Sequence, residues 1–230
     1  MDQPEIFEVD GRSIAYRLRR GNVPTLMFLS GYASDMEGAK ATALDAFAAQ
    51  RGIGLLRLDY SGTGSSEGRF EEGTLKRWLD EALAAVDQLT TGPLIVVGSS
   101  MGGWIALHLA LLRPERVQVL VGIAVAPDFT NWGFADGDTA VQRGLTRGFW
   151  ESGQELLLLD APIAVDCPVR LLHGENDSDV PLEVAWRTLR ALRSADVQLT
   201  ILKGAGHRLS EPREIDALLR TVEALLEPAA

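Results

Sequence analysis

Residues 94–112 constrain the fold most. An apolar run rich in β-branched residues, Leu94-Ile95-Val96-Val97, passes directly into Gly98-Ser99-Ser100-Met101-Gly102-Gly103, and a helical pattern over 104–112 follows at once. Short apolar runs of this kind form buried strands. A strand that enters a helix through Gly-x-Ser-x-Gly must make a tight turn with a serine at its apex. Gly98 and Gly102 keep that turn open where larger side chains would meet neighbouring backbone, and the serine between them sits in a strained conformation. The turn lifts the Ser100 hydroxyl off the sheet edge. It also aims the Met101 N–H, at a helix start, toward any oxyanion formed beside it. Ser100 is therefore a candidate nucleophile. The alternative is a Gly/Ser-rich corner that turns the chain or holds a phosphate. Ser99 is disfavoured because Val97 and Met101 occupy the flanks where its register needs glycine.

The rest of the chain repeats the strand-then-helix pattern. Strands are expected at 6–9 and 13–18, joined through Asp10-Gly11 as a hairpin, and then at 25–30, 53–58, 94–97, 117–125, 169–172 and 197–202. Helices are expected at 39–50, 74–89, from about 101 to 112, 182–193 and 211–226. In 74–89 the stripe Leu75, Leu79, Leu83 and Val86 marks the buried face. Alternation of this kind predicts an α/β fold, a mostly parallel twisted sheet with helices on both faces. The pattern breaks at about 127–161, where Asp128, Phe129, Asn131, Trp132, Phe134, Phe149 and Trp150 are scattered among glycines and charges. A long stretch without a clear strand inside a compact domain reads as a lid or binding insertion. One domain over 1–230 is expected, carrying that insertion. Asp59-Tyr60-Ser61-Gly62-Thr63-Gly64-Ser65-Ser66 contains Gly-x-Gly, but it lacks a third glycine and an ensuing helix, so it is a structural turn and not a dinucleotide site.

A net charge of −10 argues against nucleic acid or anionic membrane as a partner. No run is long enough to cross a bilayer, so no stable membrane insertion is expected. The single cysteine, Cys167, fits a reducing compartment. Met1-Asp2-Gln3-Pro4-Glu5 shows no targeting signal, and a cytoplasmic protein is expected.

A serine nucleophile needs a base, and the chain has three histidines. His108 lies about two turns into the helix after Ser100 and is expected to pack. His173 ends a strand before Gly174 and is expected to brace a turn. His207, in Lys203-Gly204-Ala205-Gly206-His207, follows the 197–202 strand in a glycine-flanked loop and can reach over the sheet edge, where open α/β sheets place their ligands. It is the expected general base, a role that contributes about 10²–10⁴ in rate. The orienting acid is expected to be Asp177, after the 169–172 strand. Asp179 and Asp128 are the other candidates, and Asp179 also suits a helix start.

With these residues in place the chain resembles the α/β-hydrolases over nearly its full length. The resemblance rests on the elbow at Ser100, on Gly174-Glu175-Asn176-Asp177-Ser178-Asp179-Val180-Pro181 against the family's Gly-x-x-Asp-x-x-Val-Pro loop, on Gly204-Ala205-Gly206-His207 against its histidine loop, and on the order Ser, Asp, His. The 59–66 segment, residues 97–104 and Leu171-Leu172-His173-Gly174 are similar to the branch containing the mitochondrial palmitoyl-protein thioesterase that also cleaves acyl glucuronides. This implies hydrolysis of esters or acyl thioesters under a small lid, without cofactor or metal. Many relatives have His-Gly before the oxyanion residue, whereas this chain has Ser30-Gly31-Tyr32. The Tyr32 N–H is accordingly the expected second oxyanion donor, beside Met101. Tyr32, Trp132, Phe134 and Phe149 are the expected lining of an apolar acyl pocket. Two other readings of the same residues are C–C bond hydrolysis or acyl transfer on the same triad, and a non-catalytic ligand-binding module.

Overall fold

The computed structural model describes residues 3–226; Met1, Asp2 and the last four residues lie outside it, and with them part of the N-terminal stretch considered for targeting. A hairpin opens the chain: β1 (Glu5–Val9) and β2 (Arg12–Arg19) turn through Asp10 at φ 48° and Gly11 at φ 74°. Two consecutive positive φ values match the right-handed twist of the flanking strands, as Asp-Gly turns do. There follow β3 (Asn22–Leu29), α1 (Ala39–Arg51), β4 (Ile53–Leu58), α2 (Leu75–Leu89), β5 (Leu94–Ser99), α3 (Met101–Leu112) and β6 (Val117–Ile123). Three short helices, α4 (Phe129–Trp132), α5 (Gly137–Gln142) and α6 (Arg147–Gln154), precede β7 (Val169–Gly174), α7 (Leu182–Ala191), β8 (Val197–Leu202) and α8 (Pro212–Leu226).

The eight strands form one sheet in the order β1-β2-β4-β3-β5-β6-β7-β8. β1 and β2 pair antiparallel, as do β2 and β4. From β4 to β8 every pairing is parallel. β5 is central, and all six of its residues are buried. One face of the sheet packs on α2 and α3 through Met27, Val96, Leu79, Val86, Ile105 and Leu109. The other packs on α1 and α8 through Phe28, Val97, Leu44, Phe47, Leu218 and Val222. Covering both faces is what the apolar runs of the parallel strands require. The expected stripe of α2 is present, with Leu83 only half-buried at its margin.

Strand β6 stops at Ile123, short of the expected 125, because Ala124 turns the backbone to φ 45°. Val125 then wedges its side chain between β6 and α3, against Gly122 and Gly103. Residues 127–161 contain no strand, as expected, and their short helices seat on the body of the fold. The Lys76 N–H at the start of α2 donates to Ser152 Oγ at 2.8 Å. Both carboxylate oxygens of Asp128 accept backbone N–H groups from the far end of the segment, Leu158 at 2.8 Å and Leu159 at 2.7 Å. Among the described residues no helix is long and apolar enough to cross a membrane.

Candidate active site

The turn between β5 and α3 has the strained form the sequence calls for. Ser100 sits at φ 53° and ψ −118°, a region that L-residues occupy only when the surroundings hold them there. Its N–H donates to the Ile123 carbonyl of the neighbouring strand at 2.9 Å. A Cβ on Gly98 would run into the Gly102 backbone, and one on Gly102 into the carbonyls of Leu29 and Ser30. Gly102→Ala should accordingly destabilise the fold by about 3 kcal/mol through overpacking. That corresponds to a fall of roughly 6–12 °C in melting temperature for a chain of this size. A thermal melt followed by circular dichroism checks it; an unchanged midpoint would show that the strand–helix packing yields without strain.

Three side chains from separate loops meet at this turn. His207 Nε2 lies 3.1 Å from Ser100 Oγ. His207 Nδ1 lies 2.8 Å from Asp177 Oδ2. The carboxylate can only accept, so Nδ1 carries the proton and Nε2 is left to accept from the serine hydroxyl. Asp177 Oδ1 accepts the backbone N–H groups of Val180 at 2.8 Å and Asp179 at 2.9 Å. Its side chain is 1 % exposed. Burial pushes its carboxyl upward, but the bonds from His207, Val180 and Asp179 outweigh it and hold the group below its ordinary range.

The other candidates have other partners. His173 is buried, with Nε2 donating to the Val180 carbonyl at 3.0 Å; burial pushes its pKa down and keeps it neutral. It braces the loop that carries Asp177, as expected. His108 faces the Leu156 carbonyl at 3.0 Å, beside the Trp104 indole N–H that donates to the same oxygen. Asp179 is exposed. Asp128, its carboxyl pushed up by burial, is spent on Leu158 and Leu159.

Gly31 brings the β3 end against the serine: a Cβ there would lie 3.4 Å from Ser100 Cβ. The next N–H, that of Tyr32, makes no backbone hydrogen bond among the described residues. The Met101 N–H, at the first position of α3, has no acceptor within its helix. Above them opens a cavity of about 890 Å³, with Tyr32, Trp132 and Phe134 of the expected pocket residues in its wall. Phe149 is the correction. It is 1 % exposed and does not line the cavity. Its ring supports Tyr32 from behind at 5.0 Å between centroids and packs on Trp78 at 5.4 Å. Phe129 lines the cavity instead, with Lys40, Arg143 and Arg208 as its cations. Nothing local in the sequence marks these three; Arg143 is placed by the Phe134 ring, 5.2 Å away.

The sequence signature of the alpha/beta hydrolase family matches residues 26–162. The chain belongs to that family. Human palmitoyl-protein thioesterase ABHD10, mitochondrial, is 35% identical over 235 residues, covering 94% of this chain and 77% of the human protein. The structure of alpha/beta hydrolase domain-containing protein 10 from mouse superposes with a TM-score of 0.91 at 32% identity, covering 98% of each chain. A structure from Agrobacterium vitis S4 superposes at 0.90 with 36% identity, covering 98% of this chain and 99% of the other. Within the alpha/beta hydrolase family, the thioesterases this chain is similar to are mitochondrial by name. That overturns the cytoplasmic expectation, which rested on the composition of the chain and the look of its first five residues.

Proposed function

We propose that this hydrolase cleaves carboxylic esters and thioesters with apolar acyl groups through an acyl-enzyme on Ser100. The observation that carries the reading is the hydrogen-bonded line from Asp177 Oδ2 through both ring nitrogens of His207 to Ser100 Oγ. His207 Nε2 takes the hydroxyl proton as Oγ bonds to the substrate carbonyl carbon, and Asp177 stabilises the imidazolium. The oxygen that gains charge is received by the N–H groups of Tyr32 and Met101, each such donor being worth about 10²–10³ in rate. His207 returns the proton to the leaving oxygen or sulfur. It then deprotonates water, which attacks the acyl carbon and releases Ser100 Oγ with the proton. The balance closes with substrate and water alone.

Residues 127–161 act as a lid on a single domain spanning 1–230. They bring Phe129, Trp132 and Phe134 to the cavity, an apolar wall suited to an acyl chain. The relatives named palmitoyl-protein thioesterase support a thioester leaving group and a long acyl chain. A fluorophosphonate probe should add one phosphonyl group, mapped by peptide mass to Ser100, and kcat/KM should rise with acyl length in a panel of esters and thioesters from acetyl to palmitoyl. An unlabelled protein, or an adduct on Ser99, would move the nucleophile; a flat response to chain length would remove the apolar acyl pocket.

A further inference from the structure

The segment 59–66 follows β4 and takes no part in the chemistry above. Its first residue reaches into the loop 31–38, which carries the Tyr32 N–H. Asp59, 1 % exposed, accepts the Met36 N–H on Oδ1 at 2.7 Å and the Ser65 N–H on Oδ2 at 2.8 Å. Two residues earlier on β4, Arg57 donates from Nη1 to the Met36 carbonyl at 2.8 Å. Both polar groups of one buried backbone unit are thus held by two buried side chains of opposite charge. Gly64 is required for this closure, since a Cβ there would overlap the Asp59 carboxylate. The held loop is strained as well, with the non-glycine Ala33 at φ 55°, a conformation that persists only where the surroundings impose it. At its other end the Tyr32 ring is wedged between Phe70 and Phe149, each 5.0 Å away.

We propose that Asp59 and Arg57 are positioning residues, clamping Met36 so that the Tyr32 N–H stays aimed at the oxygen that becomes negative when Ser100 attacks. The inference rests on the proposed role of Tyr32. A backbone donor helps only if it is fixed before charge develops, so a clamp several residues away acts on turnover and not on substrate affinity. The amide of Asp59→Asn offers one acceptor where two N–H groups converge, and one of them loses its partner.

The test compares wild type, Asp59→Asn and Ser66→Ala with a nitrophenyl ester, an alkyl trifluoromethyl ketone and a fluorophosphonate titration of active sites. The ketone forms a hemiketal whose oxyanion needs the same donors. Asp59→Asn should lower kcat and weaken the ketone by the same factor, about 10², with KM within about threefold of wild type. Ser66→Ala removes the hydroxyl that joins the Asp59 carbonyl to the Ala15 N–H, and leaves the carboxylate grip alone. It should lower the melting temperature without changing ketone affinity. Arg57→Lys loosens the grip on the Met36 carbonyl and should weaken the ketone about tenfold. Wild-type ketone affinity in both Asp59→Asn and Arg57→Lys, or an equal loss in Ser66→Ala, overturns the clamp. Should Asp59→Asn not fold, no change in Arg57→Lys overturns it equally. Failure of the fluorophosphonate to label wild type would instead remove Ser100 and the reading beneath.

Discussion

Ser100→Ala should lower kcat for a nitrophenyl ester by about 10⁶, to the limit of detection, while the protein folds with an unchanged melting temperature. The size of the loss follows from what the hydroxyl supplies. Without it no acyl-enzyme forms, and His207 has no nucleophile to deprotonate in the 3.1 Å contact it now makes. What remains is the residual acceleration of a binding cavity and two oxyanion donors acting on water, about 10³–10⁴ over the uncatalysed reaction. Stability should not suffer, because the strain at φ 53° belongs to the backbone and alanine inherits it. The Ser100 N–H that anchors the turn to Ile123 is also untouched. Steady-state assays on wild type and variant purified side by side, with the fluorophosphonate adduct read by intact mass, check both halves. Retained turnover would take Ser100 out of the mechanism and leave the elbow as a structural corner.

The strained turn at Ser100 is legible in the sequence because it is dictated by its own five residues and its two flanking elements. His207 was reachable for a similar reason: few histidines exist, and only one follows a parallel strand in a glycine-rich loop. Strand β6 shows where such rules stop. Ala124 ends it, and nothing about an alanine between apolar residues announces a positive φ. Phe149 is expected in the pocket from its position in the chain alone, and the helices between 129 and 154 are too short for periodicity to show that its ring faces the core. The clamp on Met36 was out of reach for another reason. Asp59 and Met36 are 23 residues apart, and their bond exists only because β4 lies beside β3 in the finished sheet. The cytoplasmic expectation was overturned on other ground, the mitochondrial names of the thioesterase relatives, which no fold-level reading touches.

Asp128, Asp177 and Asp179 all follow strand ends, so sequence alone constrains the identity of the acid only weakly. The structure turns it into a sharp comparison. In Asp177→Asn the amide oxygen can keep the Val180 and Asp179 N–H groups that now bond to Oδ1. Its NH₂ then faces His207 Nδ1, which must become the acceptor. The ring proton moves to Nε2, the nitrogen that has to accept from Ser100, and kcat should fall by about 10⁴ with KM little changed. Asp128→Asn disturbs only the side-chain bonds to Leu158 and Leu159 and touches none of the hydrogen bonds that join Asp177, His207 and Ser100, so it should lower the melting temperature and leave kcat within about threefold. Acid stability gives a second, independent reading. The Asp177 carboxyl is held below its ordinary range in the folded state, so its contribution to stability is present above the unfolded carboxylate value of about 3.9 and disappears as pH falls through the lower folded value. The gap in melting temperature between wild type and Asp177→Asn should therefore close on acidification from neutral pH into that range. A large loss of kcat in Asp128→Asn with Asp177→Asn nearly silent would reassign the acid to the loop after β6, and a gap that stays constant with pH would mean that Asp177 carries no charge worth stabilising.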